Sequence, residues 1–451
     1  MLIIPANSLS SGGFAVDNSC RFNQPSSDYL NRTLGTPTNR KKWTLSMWVK
    51  RGNISSASTS YLLSANSSQA YIYFNTDDTF NIEEYSGSYQ YRLKTNRLFR
   101  DTSAWYHLVI SFDSTNATAD DRVRIYINGV QETSFSARTN PSLNFDGAIN
   151  NNNAHFIGRE GGSYWDGYMS EVCFIDGTSL APTDFGEFDE DSGIWKPIDV
   201  SSLTFGNNGF YLDFEDSAAL GDDVSGNSND FTVNNLTAID QTTDTPTNNF
   251  ATMNPLFYQS ATAVTYSNGN CTTSSPTTGG TAPVSTIEVP KTGKWYCEIK
   301  VDSTTGTISD HSRIGIAVPL ASNSSNPTYN ARYLSNGNYT LDASGAAYGA
   351  TFAATDIIGI AVDSDSNTIE FYKNGVSQGS LSYTMQSNET YFFTASEASN
   401  TIGINYSYNF GNPPFTISSG NADDNGHGNF EYLPPSGYLS LCTKNLSEIL
   451  S

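Results

Sequence analysis

The side chains of this chain that could do chemistry are mostly carboxylates, and they fall into a few groupings. "GEFDEDSG" (Gly186 to Gly193) sets Glu187 and Asp189 two apart, so a strand would present both on one face. A retaining glycosidase needs two carboxyls about 5 Å apart across one sugar. The segment follows "LAPTDFGEF", where the chain is expected to turn, and a solvated acidic turn is the simpler reading. "DSTNATADD" (Asp113 to Asp121), "VDSDSNTIE" (Val362 to Glu370) and "GDDVSGNSND" (Gly221 to Asp230) are rich in the oxygen ligands that calcium takes. Asp363-x-Asp365-x-Asn367 starts like a calcium loop but lacks the later Gly and Glu, so it reads as a polar hairpin turn. Asp113, Asp120 and Asp121 remain as the calcium candidate. The four histidines, His107, His155, His311 and His427, have no metal-ligand spacing, and no nucleophile-elbow, phosphate-loop or dinucleotide pattern occurs. Glycan recognition needs aromatic faces for sugar C–H surfaces and planar amides or charged groups for hydroxyls. "NPTYNARYLSNGNYTL" (Asn326 to Leu341) offers these in Tyr329, Arg332, Tyr333 and Tyr339, unless those rings pack at a sheet edge.

Strands must position these groups. "WTLSMWVKR" (Trp43 to Arg51), "AYIYFN" (Ala70 to Asn75), "WYHLVISFD" (Trp105 to Asp113) and "VRIYING" (Val123 to Gly129) alternate or run apolar, with turn residues between them. Two stretches repeat one device. "DDRVRIYINGV" (Asp120 to Val130) and "DSNTIEFYKNGV" (Asp365 to Val376) each end an alternating strand on Asn-Gly, the pair that tolerates positive φ at both centres of a type I′ turn. One such hairpin in each half predicts two antiparallel sandwiches in tandem. Between about Ser201 and Leu256, Thr, Asn and Gly dominate, which predicts a connector, with "FYLDFED" (Phe210 to Asp216) able to add a strand. The Gly- and Pro-rich tail reads as an ordered extension on a domain or a partner.

Composition bounds the function. The 451 residues carry a net charge of −22, with 15% charged residues, 26 Tyr and 25 Phe. Such a chain is repelled by nucleic acid and anionic membranes. Aromatic filling of cores favours sheets. Cys20, Cys173, Cys271, Cys297 and Cys442 are dispersed and odd in number, so free thiols made in a reducing compartment are expected. "MLIIPANSLSSGG" lacks the basic start of a signal peptide, and no apolar run is long enough to span a membrane, "IIGIAV" being among the longest.

Several stretches carry a family resemblance. "KKWTLSMWVKRG", "AWYHLVISFD", "DRVRIYINGVQ" and "HFIGREGGSYWDGYMSEVCFIDG" resemble, in that order, the laminin-G-like, concanavalin A-like jelly rolls over roughly residues 10–190. "GKWYCEIKVD", "RIGIAVP", "TDIIGIAVDSDSNTIEFYKNGVSQG" and "YSYNFGNPPF" resemble a SPRY domain from about Pro255 to Phe415. Domain order and the closing "LPPSGYLSLCTKNL" resemble structural proteins of tailed bacteriophages, marine ones especially. The resemblance implies several things. Laminarinase-type relatives place their acids on one strand as E-x-D-x-(x)-E, whereas here the third acid is Asp191. Laminin-G-like relatives hold calcium on one rim, which is what keeps Asp113, Asp120 and Asp121 as candidates. SPRY domains vary their partner-binding loops where Tyr329, Arg332, Tyr333 and Tyr339 lie.

The expected protein is all-β, with residues 1–200 a jelly roll, 201–255 a connector, 256–415 a SPRY-like sandwich and 416–451 an extension. Its expected role is non-enzymatic: a virion protein, tail fibre or head decoration, made in the host bacterial cytoplasm. Its expected partners are host cell-surface glycans, other virion proteins and further copies of itself, with neither nucleic acid nor membrane insertion, and with no cofactor beyond a structural calcium. The alternatives are a structural cement between virion subunits and, less favoured, a carbohydrate-active enzyme.

Overall fold

The computed structural model describes residues 13–54, 58–66, 69–257, 264–275, 282–319, 328–342, 344–398 and 402–450. The chain divides into two compact units, Leu9–Thr247 and a second that takes in Asn248–Ser451. Both are built of sheets that are antiparallel but for one short pair in the second unit, and among the described residues the one α-helix is Thr443–Leu450.

The first unit pairs two sheets. One runs Val130–Glu132, Val123–Ile127, Trp105–Asp113, Lys42–Arg51, Gly167–Asp176, Ser19–Phe22 and Gln241–Thr242, with Phe210–Leu212 paired to Gly167–Asp176. The other runs Phe135–Thr139, Tyr89–Leu98, Thr79–Tyr85, Ala70–Phe74, Ser60–Ala65, Ala154–Ile157, Tyr29–Thr33 and Thr232–Asn234. Alternate residues of both sheets bury a common core. Trp43 stacks on Phe112 there, with centroids 4.9 Å apart.

Residues 201–247, expected as a connector, belong to this first unit. Phe210–Leu212, Thr232–Asn234 and Gln241–Thr242 each add a strand. Asp244 is fully buried; its carboxylate pairs with Lys50 at 2.6 Å and accepts from the Trp105 indole at 3.1 Å. The Tyr211 hydroxyl donates to Glu171 at 2.5 Å, on the bulge of Gly167–Asp176.

In the second unit the larger sheet runs Thr265–Ser267, Thr272–Ser274, Ile404–Asn409, Lys294–Thr304, Ile357–Asp363, Thr368–Lys373 and Val376–Ser382. The smaller runs Ser344–Ala347, Asn338–Leu341, Asn330–Leu334, Ser312–Ala317 and Phe392–Glu397. Trp295, Cys297, Ile299 and Val301 all enter the core, as their alternation predicts. All five cysteines are buried thiols.

The tail lies on this unit. Leu439–Ser440 pairs parallel with Lys294–Thr304, and the buried Glu298 carboxylate accepts from the amides of Glu431 (3.0 Å) and Tyr432 (2.7 Å). Both Asn-Gly turns have the expected geometry: φ is 48° and 77° at Asn128 and Gly129, and 49° and 77° at Asn374 and Gly375. Each glycine is covered by a later aromatic ring. A Cβ on Gly129 would lie 2.4 Å from Trp195, and one on Gly375 would lie 2.5 Å from Tyr432.

Candidate functional site

The strand Ala70–Phe74 reads Ala-Tyr-Ile-Tyr-Phe. Ala70, Ile72 and Phe74 are fully buried in the core, so Tyr71 and Tyr73 stand on the opposite, outer face. Register then assembles a row across neighbouring strands: Arg92 faces Glu83, Glu83 faces Tyr71, Tyr71 faces Ser64, Ser64 faces Phe156, and Phe156 faces Asn31. Beside it Tyr61 faces Tyr73. The three tyrosines form one cluster, with centroids 5.3 Å (Tyr61–Tyr73), 5.7 Å (Tyr61–Tyr71) and 6.4 Å (Tyr71–Tyr73) apart. Tyr61 and Tyr71 are half-buried, whereas Tyr73, Ser64 and Glu83 are buried beside them.

Charged groups flank the rings. Arg92 Nε lies 3.1 Å from Glu83 Oε2, and its guanidinium stacks 4.5 Å over Tyr89, an exposed ring at the row's end. Burial raises the Glu83 carboxyl, while Arg92 and the Tyr73 hydroxyl pull it down. The Tyr61 hydroxyl is pushed up to about 12 by burial, with Tyr71, Glu160 and Glu83 adding to the shift. On the other side, the short hairpin Arg159–Glu160 and Ser163–Tyr164 turns at Gly161-Gly162 and folds over the sheet. Ser64 Oγ donates to the Arg159 carbonyl at 2.8 Å. The Arg159 guanidinium sits 4.5 Å over Tyr29, 5.6 Å from Phe156 and 5.8 Å from Tyr164. The result is an aromatic floor with carboxylates and guanidiniums along its margins, the donor set that a polyhydroxylated ligand requires. The alternation of "AYIYF" was visible in the sequence; the row was not, because it depends on the register of six strands.

The residues chosen from sequence fare differently. Arg332 and Tyr333 are interior, which corrects their reading as loop contacts. They occupy Asn330–Leu334, where Tyr333 points into the core beside Phe352 (5.0 Å) and Phe371 (5.7 Å) and its hydroxyl donates to the Ala350 carbonyl. Arg332 is fully buried and donates to Asn330 Oδ1 and Ser396 Oγ, each at 3.0 Å. Tyr329 packs on the same core, and half-buried Tyr339 lies opposite Tyr333 with its ring 6.0 Å from Tyr348. Tyr329 and Tyr339 are half-buried at the sandwich edge, whereas Arg332 and Tyr333 are interior.

Two of the calcium candidates, Asp113 and Asp120, are engaged by other side chains. Asp113 accepts from Thr115 (2.9 and 2.5 Å) and pairs with Lys42 at 3.1 Å. Burial would raise its carboxyl, but the Thr115 hydrogen bonds and Lys42 prevail and hold it below the usual range. Asp120 accepts from Asn140 at 2.6 Å and lies 3.4 Å from Arg138, and Asp121 closes the same short turn. Among the described residues no three His, Cys, Asp or Glu are grouped to hold a metal ion. Glu187 and Asp189 sit on a small hairpin, and Lys196 pairs with both, at 3.4 and 3.1 Å.

One arrangement looks nucleophilic: Ser46 Oγ lies 2.8 Å from His107 Nε2. The Trp195 indole, which can only donate, meets His107 Nδ1 at 2.8 Å. Nδ1 is therefore the acceptor, Nε2 carries the proton, and Ser46 receives that proton's hydrogen bond. This tautomer cannot take a proton from the serine at Nε2. Burial pushes His107 down to about 3, and Trp48 stacks on it at 4.7 Å, so it is a core residue.

Residues 25–181 match the model described as Concanavalin A-like lectin/glucanases superfamily, and residues 294–409 match the SPRY domain model. The chain thus carries a concanavalin-like domain followed by a SPRY domain. Three solved structures show the range of similarity. The SPRY domain of human HERC1 is 16% identical, covering 35% of this chain and 96% of its own, with a TM-score of 0.30. The native heptameric SAP-like pentraxin of Limulus polyphemus is 18% identical, covering 37% and 78%, with a TM-score of 0.28. Domain 4 of AbnA, a GH43 extracellular arabinanase from Geobacillus stearothermophilus in complex with arabinotriose, is 24% identical, covering 32% and 64%, with a TM-score of 0.25. No curated protein sequence matches the chain.

Proposed function

We propose that this chain is a non-catalytic, glycan-binding protein of a tailed-bacteriophage virion, and that it holds a host-surface glycan on the outer face of the first unit. The observation that carries this reading is the cross-strand row Arg92–Glu83–Tyr71–Ser64–Phe156, with Tyr61 and Tyr73 beside it. Ring faces take the C–H side of a sugar, and the flanking carboxylates and guanidiniums take its hydroxyls. The family matched by this unit contains lectins and glucanases, both of which hold carbohydrate. A lectin role is favoured over hydrolysis because Glu187 and Asp189 are tied to Lys196 and His107 holds the wrong tautomer for a base. The virion setting rests on domain order and the closing "LPPSGYLSLCTKNL". Other virion proteins and further copies of the chain complete the partner set, since a shallow, solvated site binds weakly and attachment gains from many copies on one particle.

A glycan array run beside a reducing-sugar release assay tests this. Binding without release is the expected outcome. Release of reducing ends contradicts the non-catalytic reading, and silence in both assays contradicts glycan binding.

A further inference from the structure

The second unit has a cleft at one end of its sandwich, formed where three loops meet. Its volume is about 540 Å3, and its walls come from residues 304–309, 335–336 and 351–354. That falls within the range of small-molecule sites, roughly 300–1,000 Å3. None of its lining residues is charged, on a chain with 45 acidic side chains. The floor is apolar, made by buried Ile308 and Phe352. The rim carries exposed Thr307, Ser309, Asn336 and Thr351.

The cleft is braced from within. Ser335 Oγ donates to the Ser309 carbonyl at 2.6 Å, the Phe352 amide donates to the Ser335 carbonyl at 3.1 Å, and the Ser335 amide donates to the Ser312 carbonyl at 3.0 Å. The Asn338 amide donates to Asn336 Oδ1 at 3.0 Å, which fixes a rim side chain. A cleft held open in this way loses little freedom when a ligand enters.

We propose that this cleft is a second binding site, separate from the tyrosine face, for an uncharged polyhydroxylated ligand of the size of a mono- or disaccharide. An apolar floor under hydroxyl and amide groups suits a sugar ring, which has a C–H face and a hydroxyl edge. An ion has no counter-charge here, and a wholly apolar ligand would strip water from the rim groups without replacing their hydrogen bonds.

The test is saturation-transfer NMR on the full chain carrying Tyr61→Ala and Tyr71→Ala, so that the first site is disabled. The probes are glucose, galactose, mannose, N-acetylglucosamine and their common disaccharides. Transfer to at least one sugar is expected to persist in this background. Adding Thr307→Ala, Asn336→Ala and Thr351→Ala is expected to weaken it about tenfold, as for loss of one or two net hydrogen bonds. Near-UV circular dichroism is expected to stay unchanged. Should the triple change disturb folding, Thr351→Arg at the exposed rim replaces it and is expected to abolish transfer. Absence of any sugar signal in the two-tyrosine background overturns the proposal, as does a signal that the rim changes leave unmoved. Transfer to a short uncharged peptide with none to sugars overturns the ligand class. Array binding that Tyr61→Ala with Tyr71→Ala leaves unmoved, but that the rim changes remove, is a failure of the first site's reading and supports this one.

Discussion

Tyr71 and Tyr333 place the same ring in opposite settings. Tyr71 stands half-buried on the outer face of its sheet, while Tyr333 is wholly enclosed among Phe352, Phe371 and Tyr348. Tyr333→Ala is therefore expected to lower unfolding free energy by about 3–5 kcal/mol, as for other buried aromatics, when measured by denaturant titration. It should leave glycan binding at the Tyr61–Tyr71 face intact. A second residue-scale expectation concerns pH. Burial pushes Glu171 up to about 8, and pushes Asp28, Glu84, Asp166 and Glu298 up to about 7. Between the usual carboxylate range and these raised values the folded state binds protons that the unfolded chain does not, so stability falls as pH rises through that window. Asp77, which burial would raise but hydrogen bonds from Lys94 and Thr79 hold down to about 2, acts in the opposite sense, but only in strong acid. The thermal midpoint is expected to climb as pH drops from about 8.5 to about 6.5, with easing of the net negative charge adding to it; below that His107 and His155, which burial pushes down to about 3 and 4, oppose the climb. A midpoint that falls over this range contradicts the burial of these carboxyls.

The two Asn-Gly hairpins show how much an element can disclose in advance. Alternation fixed which side chains face inward, and Asn-Gly fixed the turn, because both signals are local. Gly129→Ala and Gly375→Ala each meet positive φ and an overlying ring, Trp195 or Tyr432. Each is expected to cost about 1–3 kcal/mol in denaturant titration, whereas the same change at Gly161, with open space around it, is limited to the backbone term. The stretch 201–247 discloses less of its packing in sequence, for the converse reason. Phe210–Leu212 is the strand that "FYLDFED" offered, but Thr232–Asn234 and Gln241–Thr242 are too short to show a period. Their anchors are distant in sequence: Ser19 Oγ donates to the Asp244 carbonyl across 225 positions. The Lys50–Asp244 pair is buried on both sides, and removing the Asp244 carboxylate takes the 2.6 Å counter-charge from a buried ammonium. Asp244→Ala is expected to destabilise the first unit by about 3–5 kcal/mol and to expose residues 210–247 to limited proteolysis, which the wild type resists. Early cleavage of the wild type within 210–247 would contradict this packing.

At the scale of the whole molecule, two all-β units present their functional groups differently. In the first, the candidate site is the face of a sheet, assembled from residues on six strands that only long-range register brings together. In the second, two of the four residues selected from sequence, Arg332 and Tyr333, are interior, since Asn330–Leu334 is a buried strand that turns Ala331 and Tyr333 into the core. Each unit buries its thiols, so alkylation without reductant is expected to modify five cysteines, and only after unfolding. A linked peptide pair would contradict this. The account depends most on the tyrosine face. The most direct measurement is the affinity of an array-selected glycan for the wild type, for Tyr61→Ala with Tyr71→Ala, and for Tyr333→Ala, each beside its thermal midpoint. Losing two stacking rings is expected to weaken binding about tenfold or more with little change in midpoint, while Tyr333→Ala lowers the midpoint and spares affinity. Unchanged affinity in the Tyr61 and Tyr71 variant, with the fold intact, would contradict the assignment.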